Sequence, residues 1–416
     1  MTKKSYLAGG IFIIILITAG IYYFLFLKKD SPQITDGGVQ NGDFDLNFDG
    51  NSQRPSVSRT NGTPDPNATS SAVREVPRLR KIANGPIAGA VAFDNKGKTA
   101  IRYIETVLGH IRETHADTVI DNRIASLNIP TVNRAFWERG GDGFIVQYIR
   151  EGSEDIQTYK AVLVGTTSTT SANVSTDYTI KGSFMGQGIR DVSLLPSGKE
   201  FAYLAITENG STISSGSFAT ASIKNIFSSP LREWQIDWPS KSNIVLTSAP
   251  RSSVGGASYI LNTSNGSLTK KISGANGLTA KLNPSGTLFA YSESAQNSVS
   301  LHVLAVSSGT KNTLDIDTLI EKCAWSAIAS EILYCAVPQI IPPAFYPDAW
   351  YEGVVSFNDE IWQINTKTRE LHLLVRLDSE AGAPIDSVKL FLDPKENYIF
   401  FTNKKDDSLW SYKIRE

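Results

Sequence analysis

The side chains best placed for chemistry are charged residues at the start of successive short apolar segments. They are Arg134, Arg190, Asp191, Asp237, Glu321, Lys322 and Asp386. If these segments converge on one axis, the carboxylates could serve as acid and base on a glycosidic bond, as in a glycan hydrolase or lyase. The competing interpretation is a water-filled channel of mixed charge. We predict channel-lining positions here and assign no catalytic residue.

Cys323 and Cys335 are the two cysteines of the chain, and they lie equally far from Ala329, the centre of a predicted hairpin. Directly opposed residues of antiparallel strands are about 4.5–5.5 Å apart, which is within reach of a disulfide. An oxidising compartment would permit the bond. The alternative is a pair of small buried hydrophobic residues.

A segment at 338–351 combines prolines with aromatic residues. Its aromatic residues are Phe345, Tyr346, Trp350 and Tyr351. Exposed aromatic side chains held by prolines are typical interface anchors, so we predict that these four bind a partner. The alternative is a segment that folds back as a plug over a channel, and the residues alone leave both open.

Patterns for metals and nucleophiles are incomplete. Residues 45–50 match the first half of a calcium-binding loop, but Ser56 stands where a bidentate glutamate is needed. The two cysteines have no nearby histidine with which to complete a zinc site. The histidines are scattered along the chain, at His110, His115, His302 and His372. We therefore expect no metal, no cofactor and no catalytic triad.

The elements that carry these residues follow a repeat. Leu195-Pro-Ser-Gly-Lys-Glu-Phe-Ala-Tyr203 returns as Asn283-Pro-Ser-Gly-Thr-Leu-Phe-Ala-Tyr291, and the prolines at 196, 239 and 284 are 43 and 45 residues apart. A period of 40–50 residues built from short strands is typical of β-propeller blades. We predict an all-β, seven-bladed propeller with a tight turn at each Pro-Ser segment. The loops at 208–216 and 250–256 should lie on the same face as the aromatic segment.

The predicted seventh blade runs out of chain after three strands. Residues 78–83, just before the first blade, supply a candidate for the fourth strand. Pairing of this segment with the last strand would close the ring and remove exposed strand edges.

The two repeat phrases resemble the WD40-like repeats of TolB-type propellers, as do the later segments Asp359-Glu-Ile-Trp-Gln363 and Ser408-Leu-Trp-Ser-Tyr412. This resemblance covers roughly residues 190–414 and implies a propeller fold. By analogy it implies a role in a cell-envelope complex. The family's turn aspartate is replaced by Ser197 and Ser285, and its separate N-terminal domain has no counterpart.

The N-terminus predicts the compartment. No charged residue occurs from Tyr6 to Leu27, a length that spans about 33 Å as a helix and can cross a bilayer. A cleaved signal peptide would end in a small-residue site, which residues 21–27 lack. We predict an uncleaved transmembrane anchor at 1–29, with the N-terminus cytoplasmic and the rest extracytoplasmic, in the periplasm or at the cell surface.

The chain after the predicted anchor falls into two regions of different composition. Residues 30–76 are rich in Gly, Asn, Asp, Ser, Thr and Pro and predict a flexible linker, followed by the propeller at 77–416. The formal net charge is −1, which provides no basic field for a nucleic acid.

The leading hypothesis is a membrane-tethered propeller that binds an envelope protein or polysaccharide without catalysis. The alternatives are a propeller enzyme with carboxylates in the central channel, and a structural subunit of a secretion or surface-appendage complex.

Overall fold

The computed structural model describes residues 76–170, 173–196, 198–295 and 297–415, and these form seven four-stranded antiparallel sheets. Six sheets each come from one continuous stretch of chain, and their order along the chain is that of propeller blades. The predicted all-β, seven-bladed propeller is confirmed. The predicted anchor at 6–27 and the linker lie outside the described residues.

We number the blades in chain order and label the strands of each blade a to d from the axis outward. Blade 1 contains β2 (Ile87–Asn95), β3 (Lys98–Glu105), β4 (His110–His115) and β5 (Asp121–Ser126). Blade 2 contains β6 (Val132–Trp137), β7 (Gly143–Ile149), β8 (Ile156–Thr170) and β9 (Asn173–Phe184). Blade 3 contains β10 (Ile189–Leu194), β11 (Glu200–Thr207), β12 (Gly210–Ser217) and β13 (Ile223–Ser229).

The later blades follow the same plan. Blade 4 contains β14 (Trp234–Ser240), β15 (Asn243–Ser248), β16 (Gly255–Asn262) and β17 (Leu268–Asn276). Blade 5 contains β18 (Thr279–Leu282), β19 (Leu288–Ala295), β20 (Ser298–Ala305) and β21 (Lys311–Thr313). Blade 6 contains β22 (Cys323–Trp325), β23 (Ile332–Pro338), β24 (Asp359–Asn365) and β25 (Leu371–Arg376). Blade 7 contains β26 (Ser387–Leu392), β27 (Tyr398–Asn403) and β28 (Leu409–Lys413), and its fourth strand is β1 (Leu79–Ala83). Short helices lie at Ile320–Lys322 (3-10), Asp348–Tyr351 (α1) and Leu377–Ala381 (α2).

The ring is closed by pairing of the two ends of the propeller. Leu79 pairs with Tyr412 and Lys81 with Trp410, in the pairing expected for residues 78–83. The guanidinium of Arg78 donates to the carbonyl of Lys413 at 2.9 Å and lies over the Tyr412 ring. An antiparallel ladder therefore replaces the open strand edge that blade 7 would otherwise expose.

Apolar side chains fill the space between neighbouring blades. One cluster joins blades 1 and 2 through Val91, Trp137 and Phe144, and another joins blades 7 and 1 through Ile101 and Phe400. Similar clusters lie between each of the other neighbouring blades of the described chain. Burial of these side chains is the main favourable term for stacking the blades around an axis.

The repeated turn has a residue that holds it. Asn283 precedes the proline of blade 5, and its side-chain oxygen accepts from the amides of Thr287 at 2.8 Å and Leu288 at 3.0 Å. Asp393 plays the same part in blade 7, where it accepts from the amide of Tyr398 at 2.7 Å. The repeat phrase thus builds the connection between strands a and b, as predicted.

Blade 3 departs from the sequence prediction. The segment 208–216, expected to be a loop, is mostly strand β12, because Thr207 pairs with Gly210 across a two-residue turn. Gly210 has a φ of 136°, and a Cβ there would lie 2.0 Å from the carbonyl oxygen of Ser229. A Ser- and Gly-rich sequence is typical of a loop, but in this segment it forms an inner strand of the sheet.

The helices of the described chain are all short. None of them combines the length and apolar character that crossing a bilayer requires.

Candidate functional site

The start of strand a in each blade lies on the same face as the b–c connections, which we call the lid face. A cavity of about 620 Å³ opens there on the axis, between blades 2 and 6. Its charged lining residues are Arg134, Arg190, Asp191, Asp237, Lys281 and Glu321. Five of the seven predicted channel positions are therefore brought together and Lys281 joins them, whereas Lys322 and Asp386 are not among the lining residues.

Arg134 and Asp191 form an ion pair between blades 2 and 3. The Nη2 atom of Arg134 lies 3.1 Å from Oδ1 of Asp191, and its guanidinium stacks over Phe136. The second oxygen of Asp191 accepts from the amide of Ile236 at 3.0 Å. The Asp191 carboxylate is thus held by protein groups.

Asp237 and Lys281 lie deeper, where they line both this cavity and a second one of about 290 Å³ toward the opposite face. Burial raises the pKa of the Asp237 carboxyl to about 6; Lys281 opposes this shift and Asp191 adds to it. Burial also lowers the pKa of the Lys281 ammonium, which donates to the carbonyl of Cys323 at 2.7 Å. These two charged side chains therefore lie between the two cavities.

Glu321 joins the cavity to the aromatic segment. Its Oε2 accepts from the Thr279 hydroxyl at 2.9 Å, and its Oε1 accepts from the Tyr351 hydroxyl. Desolvation of the hydroxyl, followed by the charge of Glu321, raises the pKa of Tyr351, so the phenol stays protonated. Tyr351 therefore stands at the rim of the cavity.

The segment 339–358, which we call the lid, folds back onto the propeller. Tyr346 is fully buried and Trp350 is 4% exposed, in a cluster with Val299, Leu319 and Phe357. The prediction that Tyr346 and Trp350 are exposed partner anchors is wrong. Their rings find apolar partners on blade 5 and on the lid itself, so burial stabilises them more than exposure would.

Asp386 anchors the lid and is not a channel-lining residue. Its carboxylate accepts from Trp350 Nε1 at 3.0 Å and from the amide of Phe357 at 3.0 Å. It is fully buried, because the lid covers the start of strand a in blade 7. Asp386 was predicted to line the channel from its place at the start of strand a, and the covering segment could not be foreseen from that place.

A buried cluster of charges surrounds this anchor. The Lys322 ammonium lies 2.5 Å from Asp386 and 2.8 Å from Asp359, and all three side chains are fully buried. Trp350 and Phe357 lie over the ammonium. Burial raises the pKa of Asp359 to about 6; Lys322 opposes the shift and Asp386 adds to it.

Hydrogen bonds fasten the lid to blades 4 and 5. The amide and hydroxyl of Ser252 donate to Asp348 at 2.9 and 2.6 Å. The amide of Ala344 donates to the carbonyl of Asn297 at 3.0 Å. The lid is thus a packed layer on the lid face, attached to several blades.

Several apolar side chains of this layer are exposed to solvent. Phe345 is 68% exposed, Ile340 is 77% exposed and Val354 is 76% exposed. Tyr351 is exposed at 41%. Two of the four predicted partner-binding residues, Phe345 and Tyr351, therefore remain accessible. Ile340 and Val354 were not predicted, because the prediction rested on aromatic side chains and these two are aliphatic.

Cys323 and Cys335 are joined by a disulfide. They are directly opposed on β22 and β23, with their Cα atoms 4.1 Å apart. The bond ties strand a of blade 6 to strand b, next to Lys322 and below the lid. Within the described residues, no group of three or more His, Cys, Asp and Glu side chains is arranged to hold a metal ion.

Comparison with known proteins identifies a shared fold. No family model matches the chain, and no curated protein matches it in sequence. The structure of oligogalacturonate lyase from Vibrio parahaemolyticus is similar, with a TM-score of 0.52, 9% identity and coverage of 81% of this chain and 94% of that one. Identity this low shows the propeller fold alone.

Two further structures are more distant. TolB from Acinetobacter baumannii has a TM-score of 0.42 and 13% identity, over 67% of this chain and 64% of that one, so the chain spans less than two thirds of it. An oligogalacturonate lyase in complex with manganese has a TM-score of 0.46 and 10% identity, over 80% of this chain and 99% of that one.

Proposed function

We propose that this protein is a membrane-tethered, extracytoplasmic propeller that binds an envelope protein or polysaccharide through the outer side of its lid. In this proposal the N-terminus is cytoplasmic and residues 6–27 cross the membrane. The binding is non-catalytic. The observation that carries the proposal is the exposure of Ile340, Phe345 and Val354 on a well-fastened lid.

The lid has the construction of a binding platform. Trp350 and Tyr346 hold it from below, so the exposed side chains of Ile340, Phe345 and Val354 are presented by a packed layer. Exposed apolar side chains on an ordered surface lose little conformational entropy when a partner covers them. The binding residues we assign are therefore these three together with Tyr351, in place of the original four aromatics.

The compartment is supported by the disulfide. Bonds of this kind persist in secreted and periplasmic proteins and are rare in the reducing cytosol. The pair Cys323–Cys335 is thus in keeping with export of the propeller, as the apolar N-terminal segment predicts.

A variant of the full chain tests this proposal in its native membrane. Ile340→Ser, Phe345→Ser and Val354→Ser are combined, and crosslinked partners are captured and compared with those of the wild type. We expect the triple variant to capture the main wild-type partner about tenfold less efficiently or worse, because three apolar contacts are removed.

The matched control is Ile328→Ser. Ile328 is 62% exposed and lies in the a–b turn of blade 6, on the face opposite the lid. This change should leave capture intact. Equal loss with the control, or no loss with the triple variant, would contradict the assignment. Digestion of captured material with protease or glycosidase separates a protein partner from a polysaccharide.

An enzyme acting on a glycan in the axial cavity is the second candidate. Asp237 favours it, because a carboxyl group with a pKa of about 6 beside the Lys281 ammonium could transfer a proton near neutral pH. Asp191 and Glu321, the other cavity carboxylates, are already engaged by protein donors. A similar structure with a TM-score of 0.52 is named as an oligogalacturonate lyase, which makes oligogalacturonates the first substrates to test.

A further inference from the structure

The exposed charges of the propeller are divided unequally between its two faces. The face opposite the lid, which we call the turn face, carries the a–b and c–d turns of the blades. Its described turns expose seven basic side chains, which are Lys96, Arg139, Lys199, Lys241, Lys367, Arg369 and Lys395. The same turns expose three acidic side chains, which are Asp117, Asp142 and Glu370. Solvent on this side of the propeller therefore meets an excess of positive charge.

Local pairing leaves this excess in place. Lys395 pairs with Asp94 at 2.8 Å, and Asp117 pairs with Lys98 at 2.9 Å, so the adjoining strand ends add one charge of each sign. Other carboxylates of these turns are directed inward. Asp393, for example, is buried and accepts from a backbone amide at 2.7 Å. Such a carboxylate holds its turn and does not serve as a counter-ion at the surface.

The lid face has the opposite character. In its described b–c connections and in the connections between blades, eleven exposed side chains are acidic and four are basic. The basic ones are Arg150, Arg232, Arg251 and Lys405. Glu352, on the lid itself, is one of the acidic ones. The two faces thus carry excess charge of opposite sign, although the chain as a whole has a formal net charge of −1.

The described chain enters the propeller on the turn face. Strand β28 ends on that face, and antiparallel pairing places Leu79 of β1 beside Tyr412 at the same end. The exposed Arg78 precedes β1 and adds a further cation. In the proposed function, the membrane anchor at 6–27 and the linker at 30–76 come before this point. A linker of that kind keeps the propeller near the membrane without selecting a face, so the surface charge decides the orientation.

We propose that the turn face docks on the anionic phospholipid surface of the membrane that tethers the protein, with the lid face directed away from it. Basic side chains within a Debye length of anionic headgroups are attracted, whereas the acidic lid face is repelled. Val119 and Ile120, each 62% exposed in a c–d turn of the same face, add apolar area that can enter the headgroup region. This inference rests on the membrane tether of the proposed function and not on the partner of the lid.

Energy transfer from the propeller to labelled lipids tests this orientation. The full chain is reconstituted into vesicles of phosphatidylcholine, alone or mixed with phosphatidylglycerol, that contain an acceptor-labelled lipid. A donor dye is attached through Ser264→Cys on the turn face or through Ser253→Cys on the lid face, and both are exposed residues of blade 4. The native cysteines are joined in a disulfide, so the dye reacts with the introduced thiol.

Phosphatidylglycerol should raise the transfer from position 264 and should not raise it from position 253. The reason is that the anionic lipid attracts the turn face, which brings only the first dye close to the headgroups. Salt at about 1 M shortens the Debye length to about 3 Å and should abolish the rise.

Charge variants locate the attraction. The turn-face variant combines Lys96→Gln, Lys199→Gln and Lys241→Gln. The matched control combines Arg150→Gln, Arg232→Gln and Arg251→Gln, which changes the net charge by the same amount on the lid face. Each cation lost near an anionic membrane weakens docking about fivefold, the equivalent of about 1 kcal/mol. The turn-face variant should therefore lose most of the rise in transfer, and the control should keep it.

Transfer from position 264 that phosphatidylglycerol leaves unchanged would overturn the orientation, and it is the result expected if a soluble anionic polymer or a protein occupied the turn face instead. Equal loss of the rise in both charge variants would overturn it too, because net charge and not the face would then be responsible. A full chain that does not float with the vesicles would contradict the tether itself. The lid triple variant should keep the lipid response while it loses its partner, so failure of the docking is distinguishable from failure of the lid surface.

Discussion

Individual buried charges determine how the lid is held. Lys322 is shared by Asp359 and Asp386, so the buried cluster carries one more negative than positive charge when both carboxyl groups are ionised. Asp359 Oδ1 and the Ser387 hydroxyl are buried with no hydrogen-bond partner among the described residues. Such an arrangement is costly, because desolvated charges need full compensation. Protonation of one carboxyl group would balance it.

The pH dependence of stability follows from this cluster. Because the folded-state pKa of Asp359 is raised from 3.8 to about 6, its stabilising contribution is complete below pH 3.8 and is lost as pH rises through 6. Between pH 7 and pH 5 the folded wild type should gain about 1 kcal/mol from this group. Thermal unfolding of the wild type and Asp359→Asn at both pH values measures the gain.

The variant Asp359→Asn should show a smaller gain over the same interval. Asp237 titrates in the same range and direction but is present in both proteins, so its contribution cancels. The remaining charges near the cluster, Lys322, Asp386 and Lys404, are likewise unchanged. An equal pH dependence in the two proteins would show that Asp359 does not titrate in this interval.

At the scale of single elements, sequence patterns found strands a and b but took the inner strand β12 for a loop. The repeat phrase locates strands a and b because their turn needs particular residues, such as Asn283. Strand β21 (Lys311–Thr313) is three exposed residues long and has no apolar pattern to detect. The lid could not be oriented from sequence, because Trp350 is buried against residues that the chain brings together only on folding.

The disulfide is an element-scale constraint on blade 6. It closes a short loop between β22 and β23, for which chain entropy alone predicts about 3 kcal/mol of stabilisation. The double variant Cys323→Ala and Cys335→Ala should therefore unfold at a lower denaturant concentration than the wild type. Chemical denaturation with and without reductant provides the measurement.

Reductant distinguishes the bond from the packing of two sulfur atoms. It should shift the wild-type transition toward that of the double variant and leave the variant unchanged. If the wild type unfolds at the same denaturant concentration before and after full reduction, with the reduction verified by thiol titration, the bond contributes nothing to stability.

The propeller has two unlike faces. The lid covers part of one face and leaves an axial cavity beside it, while the opposite face carries the a–b turns with Ile328. The ring that separates the two faces is closed by β1 and β28. The period of the repeat was enough to predict this ring. Which charged residues at the axis stay accessible could not be predicted, because that depends on where the lid packs.

Site-specific photocrosslinking tests the central claim, that the outer side of the lid is the binding surface. A benzophenone amino acid replaces Phe345 in one full-length protein and Ile328 in another, and both are irradiated in the native membrane. We predict a discrete crosslinked partner from position 345 and none from position 328. A partner crosslinked from position 328 alone, or from neither position, would contradict the account.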